Sequence, residues 1–260
     1  MKKLFTLLAV TLLLPGAVFA ASPTIIGTPV NGSTNGTAHT QSITVSGVGS
    51  NRGLVVVTWQ HGGGTSPVSV KYDGTFMSTT TTMTAAQQIN GNMYFLANPT
   101  AATADIVVTY SGSNTDTRVV AFVLQDVAQV SPLDISGQAN SGSATSLSKA
   151  VVTSTDNTFV VTWIGAGTAP TTLNPDAGQT EIASAYGGPN GDSAVSWEEQ
   201  TTAGSYTGGY SWDNATPLDL YVAALKYEAP NASANTTNND ASNWFMLLSL
   251  FPFALRRYEK

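Results

Sequence analysis

The chain contains no cysteine and few charged residues. None of its 260 residues is Cys, and only 10% are Asp, Glu, Lys or Arg. Its fold must therefore be held together by core packing and strand pairing, without disulfide bonds. Thr, Ser, Asn and Gly are abundant instead. This composition predicts strands whose outer faces carry hydroxyl and amide groups rather than ion pairs, because Thr suits a strand while its hydroxyl stays hydrated.

Basic residues are especially scarce, and the formal net charge is −6. Between Ala21 and Asp240 the only basic residues are Arg52, Lys71, Arg118, Lys149 and Lys226. A nucleic-acid backbone needs a basic stripe to neutralise its phosphates. We therefore expect no nucleic-acid partner, and we interpret the acidic excess as a contribution to solubility.

Two similar runs mark the centre of the predicted fold. Leu54–Trp59 ends in Thr-Trp, and Thr158–Trp163 ends in the same pair about one hundred residues later. Both runs are rich in β-branched residues and follow an Asn-containing turn, as strands do. Alternation predicts that one set of side chains faces a shared core. That set is Val55, Val57, Trp59, Phe159, Val161 and Trp163.

The rest of the body shows short strand patterns and no sustained helical period. Turn signals such as Asp73-Gly74 separate them, which predicts an all-β fold: a single antiparallel β-sandwich of jelly-roll type. We expect Ala21–Gly36 to be an extended lead-in with one strand at Thr24–Ile26, Ser111–Asp116 to be a turn, and Asn140–Ser148 to be a linker between two halves.

The first twenty residues resemble a secretory signal peptide. Lys2 and Lys3 precede a largely apolar run from Leu4 to Leu14, and small residues around Ala20 form a cleavage site. We therefore expect an exported protein, with a short uncleaved membrane anchor as the alternative. The predicted β-sandwich domain covers residues 21–228.

The C-terminal part has a different composition. Residues 229–243 are rich in Asn, Thr, Ser and Ala and are predicted to be a polar linker. Residues 244–260 are mostly apolar up to Leu255 and then carry Arg256 and Arg257. We expect a short hydrophobic helix that is the protein's sole contact with a membrane. The alternative is a last amphipathic helix docked on the sandwich.

Several segments together resemble a known class of proteins. They are Asn51–Val57, Val70–Gly74, Tyr94–Pro99, Val119–Leu124, Ser131–Asp134 and Tyr221–Lys226. The chain is similar here to poorly characterised secreted bacterial jelly-roll domains, of concanavalin-like or Ig-like β-sandwich type, in surface and phage-associated proteins. The tail resembles exosortase-type sorting signals, although their Pro-Glu-Pro box is missing. The resemblance implies the fold and a location outside the cell or on its surface, and it transfers no catalytic residue.

No residue pattern indicates catalysis or a metal site. His39 and His61 lack further ligands at the spacing of a zinc site, and no Gly-x-Ser-x-Gly elbow is present. Glu198 and Glu199 are adjacent in a predicted strand, so only one of them could line a glycosidase groove. Its second carboxylate would have to come from elsewhere, with Asp192 or Asp213 as candidates. Loop oxygens leave calcium open, but the acidic spacing of calcium loops is absent, and we predict no cofactor.

Aromatic residues crowd the last third of the body. Trp197, Tyr206, Tyr210 and Trp212 offer the flat rings that bind the apolar face of a sugar, with Asn, Asp and Gln nearby. We take them as candidate ligand-binding residues; the competing interpretation places the same rings in the core. The predicted function is therefore an exported structural or adhesive module in contact with polysaccharide or cell-envelope components, and not an enzyme. The alternative is a carbohydrate-active enzyme, a hydrolase or lyase, on the same scaffold.

Overall fold

The computed structural model describes residues 22–60, 65–83, 89–166, 172–185 and 192–229. In these ranges the chain forms strands and no helix, so no described helix is long and apolar enough to cross a membrane. The strands are β1 (Thr24–Thr44), β2 (Gly53–Gln60), β3 (Pro67–Tyr72), β4 (Thr75–Phe76), β5 (Ser78–Met83), β6 (Asn90–Ala97), β7 (Thr103–Gln125), β8 (Leu133–Thr153), β9 (Thr158–Ala166), β10 (Leu173–Pro175), β11 (Thr180–Ala185), β12 (Ser193–Gln200) and β13 (Gly204–Leu225). The predicted signal peptide and hydrophobic tail, and most of the predicted linker, lie outside the described residues.

The strands form two antiparallel sheets, one from each half of the chain. The first has the order β4-β3-β7-β2-β6-β5, with β1 paired to β7, and the second has the order β10-β13-β9-β12-β11, with β8 paired to β13. The part β3-β7-β2-β6-β5 of the first sheet corresponds strand for strand to β10-β13-β9-β12-β11 of the second. The prediction of two halves with Leu54–Trp59 and Thr158–Trp163 as central strands is therefore confirmed.

Matching local features begin the corresponding strands of the two halves. Ser22-Pro23 directly precedes β1, and Ser131-Pro132 directly precedes β8. Asn51 and Asn157 lie just before β2 and β9, with φ angles of 43° and 56°. Asn tolerates this left-handed region better than most side chains, so the predicted Asn-containing turns are confirmed.

A shared apolar core lies between the two sheets. It contains all six residues that alternation assigned to it, together with side chains from β6, β7, β12 and β13. Trp163 is almost fully buried and stacks on Tyr221, with ring centroids 5.4 Å apart. The Tyr221 hydroxyl donates a hydrogen bond of 3.0 Å to the Ile89 carbonyl. The two sheets therefore pack together through the faces that alternation in the two Thr-Trp strands predicted to be apolar.

Glycines of the opposite sheet lie against both tryptophans in this core. A Cβ atom on Gly91 of β6 would lie 3.2 Å from Nε1 of Trp163, in the opposite sheet. A Cβ atom on Gly165 of β9 would lie 3.7 Å from Cδ1 of Trp59, again across the core, and 3.0 Å from Ile89. Gly91 thus leaves room for the Trp163 indole, whereas Gly165 is in ordinary contact with Trp59 and leaves room for Ile89.

Each sheet also buries its other face within its own half. Val56 of β2 packs in a second cluster with Tyr72 of β3 and Ile106 of β7, and Val160 of β9 packs in a third with Leu173 of β10. β2 and β9 are buried along their whole length. The expected hydroxyl-covered outer face is therefore wrong for these two strands: their threonines, Thr58, Thr158 and Thr162, are fully buried.

Bends in the long strands allow each half to form its own apolar cluster on the side away from the shared core. The pairing of β1 with β7 shifts register between Thr34 and Ala38, and the pairing of β8 with β13 shifts between Ser211 and Leu218. An extra residue in one strand bends it and increases its twist. β3 pairs with β7 before the bend, and β2 pairs with β7 beyond it. The one strand β7 therefore contributes side chains to both the second cluster and the shared core.

Two expectations about the long strands were wrong, and a third was incomplete. Ser111–Asp116 lies inside β7, and Asn140–Ser148 lies inside β8 rather than in a linker. The strand expected at Thr24–Ile26 is confirmed, but β1 is longer than expected and continues through the rest of the lead-in to Thr44. The physical reason is the same in each case: a neighbouring strand satisfies the backbone hydrogen bonds, and small polar side chains do not oppose that pairing.

Candidate ligand-binding face

The four predicted ligand-binding aromatics all take part in packing. Trp197 is partly buried and stacks on Phe159, with centroids 4.7 Å apart. Tyr206, Tyr210 and Trp212 are at most 5% exposed and belong to the cluster on the outer side of the second sheet. The Trp212 indole N–H donates a hydrogen bond of 2.6 Å to the Ala144 carbonyl. The structure therefore groups three of them in one cluster and places Trp197 elsewhere; their ligand-binding role stays a prediction.

The polar end of Tyr206 is engaged inside the molecule. Gln179 donates a hydrogen bond of 3.1 Å to its hydroxyl oxygen, and Ser196 donates one of 2.6 Å to the side-chain carbonyl of Gln179. Burial raises the pKa of Tyr206 well above its usual value. Because the charged form is disfavoured, this hydroxyl stays protonated and acts as part of a structural network.

The candidate carboxylates are distributed as alternation predicts. Glu199 accepts a hydrogen bond from Ser22, whereas Glu198 lies beside Gly178 and Tyr206. Asp192 lies six positions before Glu198 along β12, a separation of about 20 Å at the rise of an extended strand. Two carboxylates that cooperate in glycoside hydrolysis lie less than about 10 Å apart. Asp192 therefore does not supply the partner for Glu198.

The two histidines occupy different parts of the chain. His39 is buried in β1, and burial lowers its pKa. His61 lies outside the described residues. Within the described ranges no group of three His, Cys, Asp or Glu side chains could hold a metal ion.

One aromatic ring that sequence reasoning missed is exposed. Phe76 of β4 has 65% of its surface exposed. The Lys71 ammonium lies 4.3 Å from the centroid of its ring, a cation–π contact. The Asp73-Gly74 turn sets this arrangement: both residues have positive φ, and the hairpin pairs Lys71 with Phe76. The turn and the alternation of Val70 and Tyr72 were signals that could have located this pair.

Phe76 belongs to a continuous surface that we call the outer face. It is formed by residues that point away from the second cluster on four neighbouring strands. Lys71 pairs with Val107, and Val107 pairs with Thr40, so one row crosses the sheet from β4 to β1. Further residues on these strands add hydroxyl groups and one carboxylate. The outer face consists of Ala38, Thr40, Ser42, Thr44, Lys71, Phe76, Thr103, Asp105, Val107 and Thr109.

Two cavities lie away from this face. A pocket of about 80 Å³ has Trp59 and Arg118 in its lining, together with Asn31–Ser33 of β1 and Ala183 of β11. A wider cleft of about 580 Å³ lies along the edge of β5 and the segment before β8. Its lining residues are Ser78, Thr79, Thr80, Phe95, Leu96, Ala97, Gln129, Val130, Ser131, Pro132 and Leu133. Among the described residues that line these two cavities, none is Asp or Glu.

Comparisons with protein-family models, curated proteins and solved structures found no match to this chain. The structure supports an all-β, sandwich-like fold of two antiparallel sheets. The resemblance to secreted jelly-roll domains and to sorting tails stays a prediction.

Proposed function

We propose that this protein is an exported β-sandwich of jelly-roll type that acts as a structural or adhesive module and binds polysaccharide. It would lie outside a bacterial cell or on its surface, and its only membrane contact would be the C-terminal tail. The outer face is the observation that carries the proposal. It presents one exposed ring among hydroxyl groups on a supported sheet.

The chemistry of the outer face suits a sugar chain. The ring of Phe76 offers an apolar surface to the C–H face of a pyranose, and Lys71 next to it offers a hydrogen-bond donor. Thr44 and Thr103 lie side by side with their hydroxyl oxygens 2.8 Å apart, and each oxygen has further bonding capacity. Asp105 adds an acceptor to the same surface. These groups lie on paired strands that are already ordered, so little conformational entropy is lost when a ligand binds.

The interior of this half supports a passive, rigid role. The second cluster packs directly beneath the outer face, and Tyr72 anchors β3 because its single hydroxyl proton is shared between the Ala102 carbonyl at 2.9 Å and the Thr100 carbonyl at 3.2 Å. Without disulfides, this packing is what would keep an exported module folded.

A glycan-array screen of the protein tests the proposal. We expect binding to a subset of polysaccharides, and a several-fold weaker signal for Phe76→Ala. The matched control is Val152→Ala, a change at a 68% exposed residue of the second half. Both sites are exposed, so neither change should alter the melting midpoint. Binding unaffected by Phe76→Ala would remove the outer face from the proposal and return attention to Trp197, Tyr206, Tyr210 and Trp212.

The predicted tail has its own test. The segment after Asp240 should retain the protein in the membrane fraction, since it would insert its apolar residues. Equal partitioning of the chain with and without that segment would refute an anchoring role.

One observation favours the enzymatic alternative. Burial raises the pKa of Asp176, whose carboxylate lies beside Gly209. The carboxylate of Glu198 lies beside Gly178, two residues after Asp176 in the chain. A carboxylic acid with a raised pKa is suited to donate a proton to a leaving group. Depolymerisation of an array-positive polysaccharide, abolished by Asp176→Asn and by Glu198→Gln, would establish this activity. Intact polysaccharide after prolonged incubation would reject it.

A further inference from the structure

The segment from Ala38 to Thr44 is an exposed sheet edge. It pairs with β7 on one side, and no other described strand pairs with β1. Ala38, Thr40, Ser42 and Thr44 are all exposed, and the described contact to their outward backbone groups is a long hydrogen bond of 3.4 Å from the Gln41 side-chain amide to the Ser42 carbonyl. The register in this segment is regular, from Ala38 opposite Thr109 to Thr44 opposite Thr103. It therefore offers a straight template for another strand.

The backbone groups on this edge can be assigned from neighbouring hydrogen bonds. The Val45 amide donates to the Ala102 carbonyl at 2.8 Å, so Val45 bonds toward β7. In an antiparallel pair, alternate residues direct both backbone groups to the same side. Ile43, Gln41 and His39 therefore bond toward β7 as well. Ala38, Thr40, Ser42 and Thr44 direct their N–H and C=O groups to the outer edge.

Other described edge strands carry features that oppose pairing, and this segment does not. Native proteins protect edges with Lys, Pro, bulges or very short strands. β4 and β10 have only two and three residues, and β5 and β11 have register shifts. The earlier part of β1 contains Pro29 and a shift. β8, the counterpart of β1 in the second half, carries Lys149, whereas β1 contains no Asp, Glu, Lys or Arg.

We propose that residues 38–44 pair with the same segment of a second copy of this chain, antiparallel and centred on Gln41. An interface of this kind is isologous and closes as a dimer. In this register Thr40 lies opposite Ser42 of the second copy, and Ala38 lies opposite Thr44. The outward backbone groups of both copies then face each other in hydrogen-bonded pairs. No charge opposes a like charge, since the segment has none.

The pairing would join the outer faces of the two copies into one sheet surface. Thr40 belongs to the outer face and lies at the edge that becomes the centre of the dimer. The dimer would then present two Phe76 rings on a single continuous sheet, which raises the avidity for a repeating ligand. The dimer does not depend on the proposed polysaccharide binding, and it is tested without sugar.

Disulfide cross-linking tests the register directly. The chain has no cysteine, so Gln41→Cys introduces its only thiol. In the proposed pair the two Cα atoms at position 41 would be about 4.5 Å apart, within the range of a disulfide. Mild oxidation of the full chain should give a disulfide-linked dimer. The control is Thr207→Cys, at an exposed position of β13. We expect several-fold more dimer for Gln41→Cys, and equal cross-linking of the two variants would overturn the proposal.

A charge exchange provides an independent measurement. Thr40→Lys combined with Ser42→Lys places like charges opposite each other and should make the protein monomeric in sedimentation experiments. The variant with Glu at both positions should also be monomeric, and a mixture of the two should restore the dimer. Ser205→Lys combined with Thr207→Lys is the control and should dimerise like the unmodified chain. An unmodified chain that stays monomeric, a dimeric Lys variant or a mixture that fails to associate would each overturn the proposal.

Discussion

At the scale of single residues, the two tryptophans of the shared core show most directly what holds the molecule together. Trp59 and Trp163 occupy the same position of β2 and β9, and each packs against a glycine of the opposite sheet. A larger residue would press on the Trp163 indole at position 91 and on Ile89 at position 165. The core therefore depends on a specific fit between the halves.

Removal of the buried indole at position 163 should be costly. We expect Trp163→Ala to lower the free energy of unfolding by about 3–5 kcal/mol, because it leaves a cavity and removes the stacking on Tyr221. Chemical denaturation measures the change, with Val152→Ala as a control expected within about 0.5 kcal/mol of the unmodified protein. An unchanged midpoint for Trp163→Ala would contradict the placement of Trp163 in the core.

His39 should make stability depend on pH. Burial lowers its pKa below the 6.5 of a free histidine, so the unfolded chain binds a proton more readily than the folded one. Its contribution is fully present above pH 6.5 and is lost as the pH falls from 6.5 to the pKa of the folded state. Urea midpoints measured from pH 8 to pH 5 should fall less for His39→Gln than for the unmodified chain. Parallel curves would contradict the assignment.

At the scale of elements, the polar stretch of β8 shows that hydrogen bonding overrides composition. Asn140–Ser148 has the small, polar residues of a linker, yet it lies in a strand that pairs with β13 on both sides of its bend. A strand of this kind is stabilised by its neighbour's backbone and not by its own side chains.

Hydrogen exchange distinguishes a paired strand from a linker. Amides from Ser136 to Ser141 and from Ser146 to Thr153 should show alternating protection, since every second N–H points to β13. The bend near Ala144, where the register shifts, should exchange faster. Complete exchange of the whole stretch within the dead time would show that it is a linker after all.

At the scale of the whole molecule, the two halves share one strand order, and neither forms the shared core without the other. Each half contributes one face to the shared core and builds its own outer cluster. A separated half would expose the apolar side chains of the shared core to water, among them Phe122 in the first half and Phe159 in the second.

The halves should therefore unfold together. We expect a single calorimetric transition with equal calorimetric and van't Hoff enthalpies. Residues 22–128 produced alone should be insoluble or unfolded, and co-production with residues 129–229 should recover a folded complex. Two resolved transitions, or a stable isolated half, would show that the outer clusters suffice by themselves.

Sequence reasoning succeeded where the deciding interaction is local. Alternation in Leu54–Trp59 and Thr158–Trp163 identified all six shared-core residues, and Asp73-Gly74 was correctly predicted as a tight turn. It failed at Ser111–Asp116 of β7 and Asn140–Ser148 of β8, where a strand continues through residues typical of turns and linkers. The candidate site was missed for a related reason: Phe76 keeps 65% of its surface exposed although Lys71 lies over its ring, and local residues do not set whether a distant part of the chain packs on β4.

The sequence by itself determined that the chain is all-β, which faces of its two central strands are apolar, and where its tight turns lie. These properties follow from side-chain alternation and backbone preference over a few residues. Only the tertiary structure decided that Tyr206, Tyr210 and Trp212 are covered while Phe76 is exposed, and that the Ser- and Gly-rich stretch is a strand. Burial and strand pairing depend on which element lies opposite, and elements far apart in the chain supply that neighbour.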